Sequence, residues 1–174
     1  MAATLLVAVA CSAGAGSPAP ADPTAAKADA AWRTATLVDT RTGESFSVDS
    51  LRGKLVAIEP MAAWCSNCKI QQLEAATALS RLNDPNIVYI SVDVDPHEGA
   101  KDLADYAERS GFDWRFVVAT TEVARSLAAT FGDQVLSPPS TPIILVGPDG
   151  TVVDQHFGIR GADDLIKLFS EHLS

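Results

Sequence analysis

Hydrophobic and polar positions change their spacing several times along this chain, and each spacing predicts an element. Mostly apolar runs at 55–61 and 87–94 predict two buried central strands, the first continuously apolar apart from Glu59. Shorter runs predict strands at 32–38, 45–48, 114–119, 143–146 and 152–157. Apolar residues at helical spacing predict helices at 70–82, 100–110, 122–131 and 162–173.

Turn and cap signals stand at the boundaries of these elements. A polar turn at 39–43 predicts a hairpin of the first two strands, and Gly-Pro-Asp-Gly at 147–150 predicts a second one. Gly111 is expected to end the second helix, and Thr120 or Thr121 to cap the third. Strand–helix alternation with a closing hairpin and helix predicts an α/β domain, with a central mixed sheet flanked by helices.

The predicted helix at 70–82 has an apolar residue at every third position. These residues are Ile70, Leu73, Ala76, Leu79 and Leu82. We expect this stripe to be the side of the helix that packs against the core.

The first 31 residues differ in composition from the rest of the chain. The whole chain has 174 residues, which suits one domain at 32–174 and a preceding tail. Its formal net charge of −9 argues against a nucleic-acid or anionic-lipid surface. The apolar run at 4–10 is too short to span a bilayer, which takes roughly 20 residues, and suits an export signal. The Ala-, Gly-, Ser- and Pro-rich stretch at 14–31 is expected to be an unfolded tether.

A cysteine follows this short apolar run. The sequence Ala-Val-Ala-Cys at 8–11 resembles the lipobox of bacterial lipoproteins, in which the cysteine is lipidated. That resemblance implies that Cys11 carries a lipid anchor and leaves the other two cysteines to pair. The alternative is a chance cysteine after a shortened signal, since no Lys or Arg precedes the run and Ala8 stands where Leu is usual.

The two remaining cysteines form a Cys-x-x-Cys motif between a predicted strand and a predicted helix. Two intervening residues allow Cys65 and Cys68 to close a disulfide across the first helical turn. The free N–H groups of that turn favour a negative charge, so Cys65 is expected to attack and Cys68 to resolve. The alternative is half of a zinc site, but no second pair of ligands has metal spacing, and we expect no metal.

A carboxylate inside an apolar strand is costly unless it is protonated or paired. Glu59 is therefore expected to have a raised pKa, or else to reach solvent at the strand end. Lys69 either adds positive charge near the thiolate or is a solvated helix residue, and His97 is expected to be an exposed loop residue.

Three motifs together resemble the thioredoxin superfamily, and within it the TlpA/DsbE-like exported thiol–disulfide oxidoreductases. They are Leu-Arg-Gly-Lys-Leu-Val at 51–56 with Ala-Ala-Trp-Cys-Ser-Asn-Cys at 62–68, Thr-Pro at 141–142, and Leu-Val-Gly-Pro-Asp-Gly-Thr-Val at 145–152. The resemblance implies a thioredoxin-like fold, with an N-terminal β-hairpin and a central helix–strand–helix insertion at 100–131.

The resemblance also implies roles for individual residues. Pro142 is expected in the cis form opposite the dithiol, the alternative being an ordinary trans proline at the start of a strand; Pro138 and Pro139 are expected to be plain loop residues. Thr141 is expected to pair its backbone with the client peptide, Trp64 to cover the site, and Glu59 to exchange protons with Cys68. The dipeptide Ser-Asn between the cysteines differs from the Gly-Pro of strongly reducing thioredoxins, so the direction of electron flow stays open.

The sequence thus predicts a protein-disulfide oxidoreductase that needs no cofactor beyond its own cysteine pair. We expect a monomer, exported and lipid-anchored on the outer face of the cytoplasmic membrane. It would reduce disulfides of exported cysteine-containing proteins with electrons from a membrane donor.

Two other functions are compatible with such a fold. Sco-like copper chaperones separate their cysteines by three residues and carry a histidine before a late strand, whereas this chain has two intervening residues and no histidine at 137–142. Peroxiredoxin-like peroxidases use Pro-x-x-x-Thr-x-x-Cys, but counting from Pro60 the Thr and Cys positions hold Trp64 and Asn67.

Overall fold

The computed structural model describes residues 30–173. The predicted signal, most of the tether and Cys11 lie outside these residues. Among the described helices, none is both long enough and apolar enough to cross a membrane.

The chain begins with a short helix where the sequence predicted a strand. Helix α1 spans Ala31–Thr34 and contains the buried Trp32. The indole of Trp32 packs edge-on against Phe131, with ring centroids 5.0 Å apart, and its backbone N–H donates to Ser126 Oγ at 3.0 Å. The predicted strand at 32–38 is therefore wrong in its first half, because contacts with a distant helix override the local pattern.

The predicted N-terminal hairpin is present but short. Strands β1 (Leu37–Val38) and β2 (Ser45–Phe46) pair antiparallel. The second strand stops early because Ser47 caps a 3-10 helix, accepting the Ser50 N–H at 3.2 Å.

The central sheet has five strands. They are β3 (Leu55–Met61), β4 (Ile87–Asp93), β5 (Arg115–Val118), β6 (Ile143–Val146) and β7 (Val152–His156). Their order in the sheet is β5–β4–β3–β6–β7. The inner strand β3 pairs in parallel with β4 on one side and antiparallel with β6 on the other. Strand β5 is parallel to β4, and β7 is antiparallel to β6, which confirms the mixed sheet.

Four longer helices flank this sheet, at or close to the predicted positions. Gly111 ends the second of them with a φ of 70°, and Thr120 caps the third by accepting the Val123 N–H at 3.2 Å. The helices are α2 (Ser66–Leu82), α3 (Ala100–Ser110), α4 (Thr121–Phe131) and α5 (Ala162–His172).

Strand alternation divides the buried side chains into two cores. In β3, Leu55, Ala57 and Met61 face the core that contains both cysteines, and we call this side of the sheet the dithiol face. Val56 and Ile58 face the other core, on what we call the opposite face. Helices α2, α3 and α5 cover the dithiol face, and α1 and α4 cover the opposite face.

Helix α2 is rotated away from the orientation that its apolar stripe predicted. Ile70 and Leu73 are 46% and 50% exposed, whereas Gln71 and Gln72 are fully buried. The cysteine pair at the start of the helix faces the core, Gln72 donates to the buried Glu59, and Gln71 bonds to the backbone of Arg160, so polar contacts decide the rotation. The prediction that Ile70 and Leu73 face the core is wrong.

Candidate active site

A disulfide stands at the first turn of α2. It joins Cys65 and Cys68, whose Cα atoms are 5.3 Å apart. Cys65 is the N-cap of the helix, and its Sγ accepts the Cys68 N–H at 3.1 Å. Cys65 is 2% exposed and Cys68 is fully buried. A thiolate on Cys65 would occupy the position where unpaired helix N–H groups favour negative charge.

The residues before Cys65 are held by the loop between β4 and α3, at 94–99, which we call the acidic loop. The indole Nε1–H of Trp64 donates to Asp95 Oδ2 at 2.6 Å, and the Ala63 N–H donates to Glu98 Oε2 at 2.7 Å. Trp64 itself is 59% exposed. Its ring is thus fixed beside the dithiol by a carboxylate, and whether it covers a bound client stays a prediction.

A second segment, at 137–141, contacts the dithiol through its backbone. The Pro138 carbonyl oxygen lies 3.2 Å from Cys68 Sγ, so it is placed to accept a hydrogen bond from the reduced thiol. The Pro139 carbonyl accepts from Asn67 Nδ2 at 3.1 Å. The prediction that both prolines are plain loop residues is wrong, because each presents its carbonyl to the active-site helix.

The Thr141–Pro142 bond is trans, so the predicted cis proline is wrong. The 3-10 helix Pro138–Ser140 ends at Thr141, which has a φ of 44° and donates its N–H to the Pro138 carbonyl at 2.9 Å. This left-handed residue turns the chain into β6 without a cis bond. Thr141 is 1% exposed, and its N–H is used inside the protein, so its pairing with a client stays a prediction.

The predicted acid, Glu59, is fully buried in β3 on the dithiol face. Its Oε2 accepts from Gln72 Nε2 at 3.0 Å and from Ser91 Oγ at 3.2 Å. Burial raises the pKa of Glu59 from 4.5 to about 8, and the bonds from Gln72 and Ser91 oppose part of that rise. Glu59 Oε1 and the equally buried Tyr89 hydroxyl make no hydrogen bond of ordinary geometry among the described residues, although Tyr89 is near enough to lower the pKa of Glu59 in part. The carboxyl can therefore hold or release a proton near neutral pH.

Two side chains from the insertion orient the groups that bind this acid. Tyr106 Oη donates to Gln72 Oε1 at 2.5 Å, which directs the Gln72 amide nitrogen towards Glu59. Trp114 Nε1 donates to Ser91 Oγ at 2.9 Å, which leaves the Ser91 hydroxyl proton for the carboxylate. Sequence reasoning missed this network, because Gln and Ser are common on surfaces. The available signal was the four-residue step from Cys68 to Gln72, which puts both on one helix face.

Lys69 lies on the insertion side of α2. Its Nζ is 4.3 Å from the centroid of the Phe112 ring and 5.3 Å from that of Tyr106. Burial lowers the pKa of this amine. The cation therefore sits against aromatic rings, and the other predicted possibility, a fully solvated side chain, does not hold.

Neither cysteine belongs to a cluster that could bind a metal. Within residues 30–173, no three His, Cys, Asp or Glu side chains are grouped closely enough to share an ion. His97 is exposed, and its Nδ1 lies 3.0 Å from Asp95 Oδ1.

Comparisons with known proteins place the fold. No protein-family model matches the sequence, and no curated protein matches it. Among solved structures, the chain is similar to a thioredoxin-family thiol:disulfide interchange protein from Chlorobium tepidum, with 20% identity over 80% of this chain and 92% of that one and a TM-score of 0.64. A putative electron transfer protein from Aquifex aeolicus matches with 22% identity, coverage of 79% and 90%, and a TM-score of 0.66.

A member of the Sco family of cytochrome c oxidase assembly proteins has a similar fold, with 18% identity, coverage of 80% and 91%, and a TM-score of 0.63. This chain departs from the Sco pattern in its cysteine spacing and in having no histidine at 137–142. The predicted thioredoxin-like fold is confirmed.

Proposed function

We propose that the protein is a thiol–disulfide oxidoreductase that uses Cys65 and Cys68 and needs no organic cofactor. The observation that carries this proposal is a disulfide capping a helix, on the same face of the sheet as a buried acid with a pKa of about 8. The fold, which it shares with thiol:disulfide interchange proteins, supports the same conclusion.

The proposed reaction starts from the reduced pair. The Cys65 thiolate attacks one sulfur of a client disulfide, that bond breaks, and one client thiolate leaves. Cys68 then gives up its proton and attacks the Cys65 sulfur, which releases the second client thiolate and forms the Cys65–Cys68 bond. Two electrons pass to the client. Glu59 is suited to accept the Cys68 proton, since Gln72, which binds it, lies one helical turn from Cys68.

The cellular setting is a further part of the proposal. The apolar run at 4–10 followed by Cys11 supports export and lipid anchoring at the outer face of the cytoplasmic membrane. The clients would then be exported proteins with cysteines, and a membrane-bound dithiol donor would return the pair to its reduced form.

Trapping of the mixed disulfide tests this function. Cys68→Ser leaves Cys65 free to attack but removes the resolving sulfur, so client proteins should accumulate in covalent adducts with this variant. The matched control Cys65→Ser keeps one buried thiol and should form none. Non-reducing gels of cell envelopes, followed by identification of the trapped proteins, give the readout. Equal adduct levels in the two variants would contradict the proposal.

A further inference from the structure

Two carboxylates are bonded directly to the two residues that precede Cys65. Glu98 accepts the backbone N–H of Ala63, and Asp95 accepts the indole N–H of Trp64. Both belong to the acidic loop, and neither contact involves the disulfide. The loop therefore fixes negative charge within two residues of the attacking sulfur.

Among residues 30–173, no lysine or arginine side chain is hydrogen-bonded to Ala63, Trp64 or Cys65. Lys69 is held on the Phe112 and Tyr106 rings, and His97 pairs with Asp95 itself. A groove of about 400 Å³ beside Trp64 is lined by both signs of charge. Its charged lining residues are Glu98, Asp102, Asp105 and Arg109, and His97 also lines it.

Asp93 is a third carboxyl group beside the same two carboxylates. It ends β4 on the dithiol face and is 1% exposed. Burial is the main cause that raises its pKa to about 7, and the charges of Glu98 and Asp95 raise it further. The Asp93 carboxyl is thus destabilised as an anion by burial and by the two charges of the acidic loop, while a hydrogen bond from the Asp95 backbone opposes part of that effect.

We propose that Asp95 and Glu98 set the direction of thiol exchange, making this dithiol a reductant of client disulfides. This inference rests on the proposed function. The helix N-terminus, equivalent to roughly half a positive charge, stabilises a Cys65 thiolate and so the reduced pair. Two full carboxylate charges oppose it. They raise the free energy of the thiolate form but not that of the uncharged disulfide, so the reduced pair gives up its electrons more readily.

The glutathione equilibrium measures this directly. The protein disulfide and two glutathione thiols exchange with the protein dithiol and one glutathione disulfide, so atoms and electrons balance. In Glu98→Gln and Asp95→Asn, an amide oxygen can still accept the hydrogen bond, but the charge is gone. We expect each variant to shift the equilibrium constant about threefold towards the dithiol, and the double variant about tenfold, which corresponds to about 30 mV.

Two further variants separate charge from structure. Glu98→Asp keeps the charge and should stay closer to wild type than Glu98→Gln. Glu122→Gln removes an exposed carboxylate from the first turn of α4, on the opposite face, and should leave the constant unchanged. In the pH dependence of Cys65 alkylation, measured on the reduced Cys68→Ser background, Glu98→Gln should move the midpoint to lower pH.

The possible outcomes distinguish this inference from the function on which it rests. If wild type does not exchange with glutathione at all, the proposed function fails. If wild type exchanges but the charge-removing variants match it, or shift towards the disulfide, the function stands and the role of the acidic loop is overturned. Because each single variant is measured separately, a double variant that does not fold leaves the test intact.

Discussion

The two faces of the central sheet are built from different side chains, although the same strands form both. The opposite face is covered mainly by Val, Ile and Leu side chains. The dithiol face adds a disulfide, a cluster of aromatic rings and a hydrogen-bonded acid. Successive residues of one strand therefore face either the side of the sheet that contains the dithiol and the acid, or the side that is only an apolar core.

The difference shows how a buried acid is tolerated in a small domain. Glu59 follows Ile58 directly, yet only Glu59 has Gln72 and Ser91 beside it. These donors in turn are held by side chains from the insertion. The insertion thus supports the chemistry of the dithiol face without contributing a cysteine.

The largest expected effect is the dependence of stability on pH. The folded protein raises the pKa of Glu59 from 4.5 to about 8, so folding favours the protonated carboxyl. The stability that comes from this protonation is fully present below pH 4.5 and is lost as pH rises through 8. The shift corresponds to about 5 kcal/mol in the free energy of unfolding. Glu59→Gln should remove most of this dependence.

Urea unfolding of the oxidised protein between pH 4 and 9 measures this effect. Some dependence should persist in Glu59→Gln, since the pKa of Asp93 is also raised, to about 7. Parallel curves for wild type and variant would show that Glu59 does not titrate in this range.

Two neighbouring residues of β4, Ile90 and Ser91, allow the two faces to be compared by substitution, with losses of stability of intermediate size. Ile90 is fully buried on the opposite face, and Ile90→Ala should cost about 3 kcal/mol in the free energy of unfolding. Ser91→Ala should cost about 2 kcal/mol, because it leaves Trp114 Nε1 and Glu59 each without one partner.

The informative difference between these variants is the titration of Glu59. Ser91→Ala should move the midpoint of the pH–stability curve upward, since a donor to the carboxylate is lost, whereas Ile90→Ala should leave the midpoint in place. Equal midpoints in both variants would mean that losing the Ser91 donor affects the titration of Glu59 no more than a change on the opposite face does.

The smallest expected effect concerns the insertion. Tyr106→Phe removes the hydroxyl that directs the Gln72 amide and should cost about 1 kcal/mol in the free energy of unfolding. The same change made in a Gln72→Leu background should cost less, because the partner oxygen is already absent. Denaturant titrations of the four proteins in this cycle give the coupling. Additive losses would indicate that the Tyr106 hydroxyl acts through another contact.

Much of the fold follows from apolar patterning alone. Strand β3 spans the predicted residues and β4 ends one residue earlier than predicted, because strands buried on both faces leave a mostly apolar run. Glu59 was recognisable as the one charged residue in the run at 55–61. Helix α1 was not, because four residues cannot form a stable helix without the Trp32 contacts that tie it to α4.

The surroundings of the dithiol were less predictable. The cysteine spacing predicted the helix-capping disulfide, but no local pattern signals that Pro138 and Pro139 present carbonyl oxygens to α2. Those contacts depend on the path of the chain between α4 and β6. The rotation of α2 likewise depends on buried polar partners from distant strands, which a stripe of apolar residues does not encode.

Trp64, which is hydrogen-bonded to the acidic loop, is an intrinsic fluorophore beside the active site. The chain has three tryptophans, and Trp64 is the exposed one, next to the disulfide, while Trp32 and Trp114 are buried. A disulfide quenches the emission of a neighbouring indole by accepting an electron from its excited state. Reduction of the Cys65–Cys68 bond is therefore expected to raise the fluorescence of Trp64, which would follow each redox cycle without an added dye.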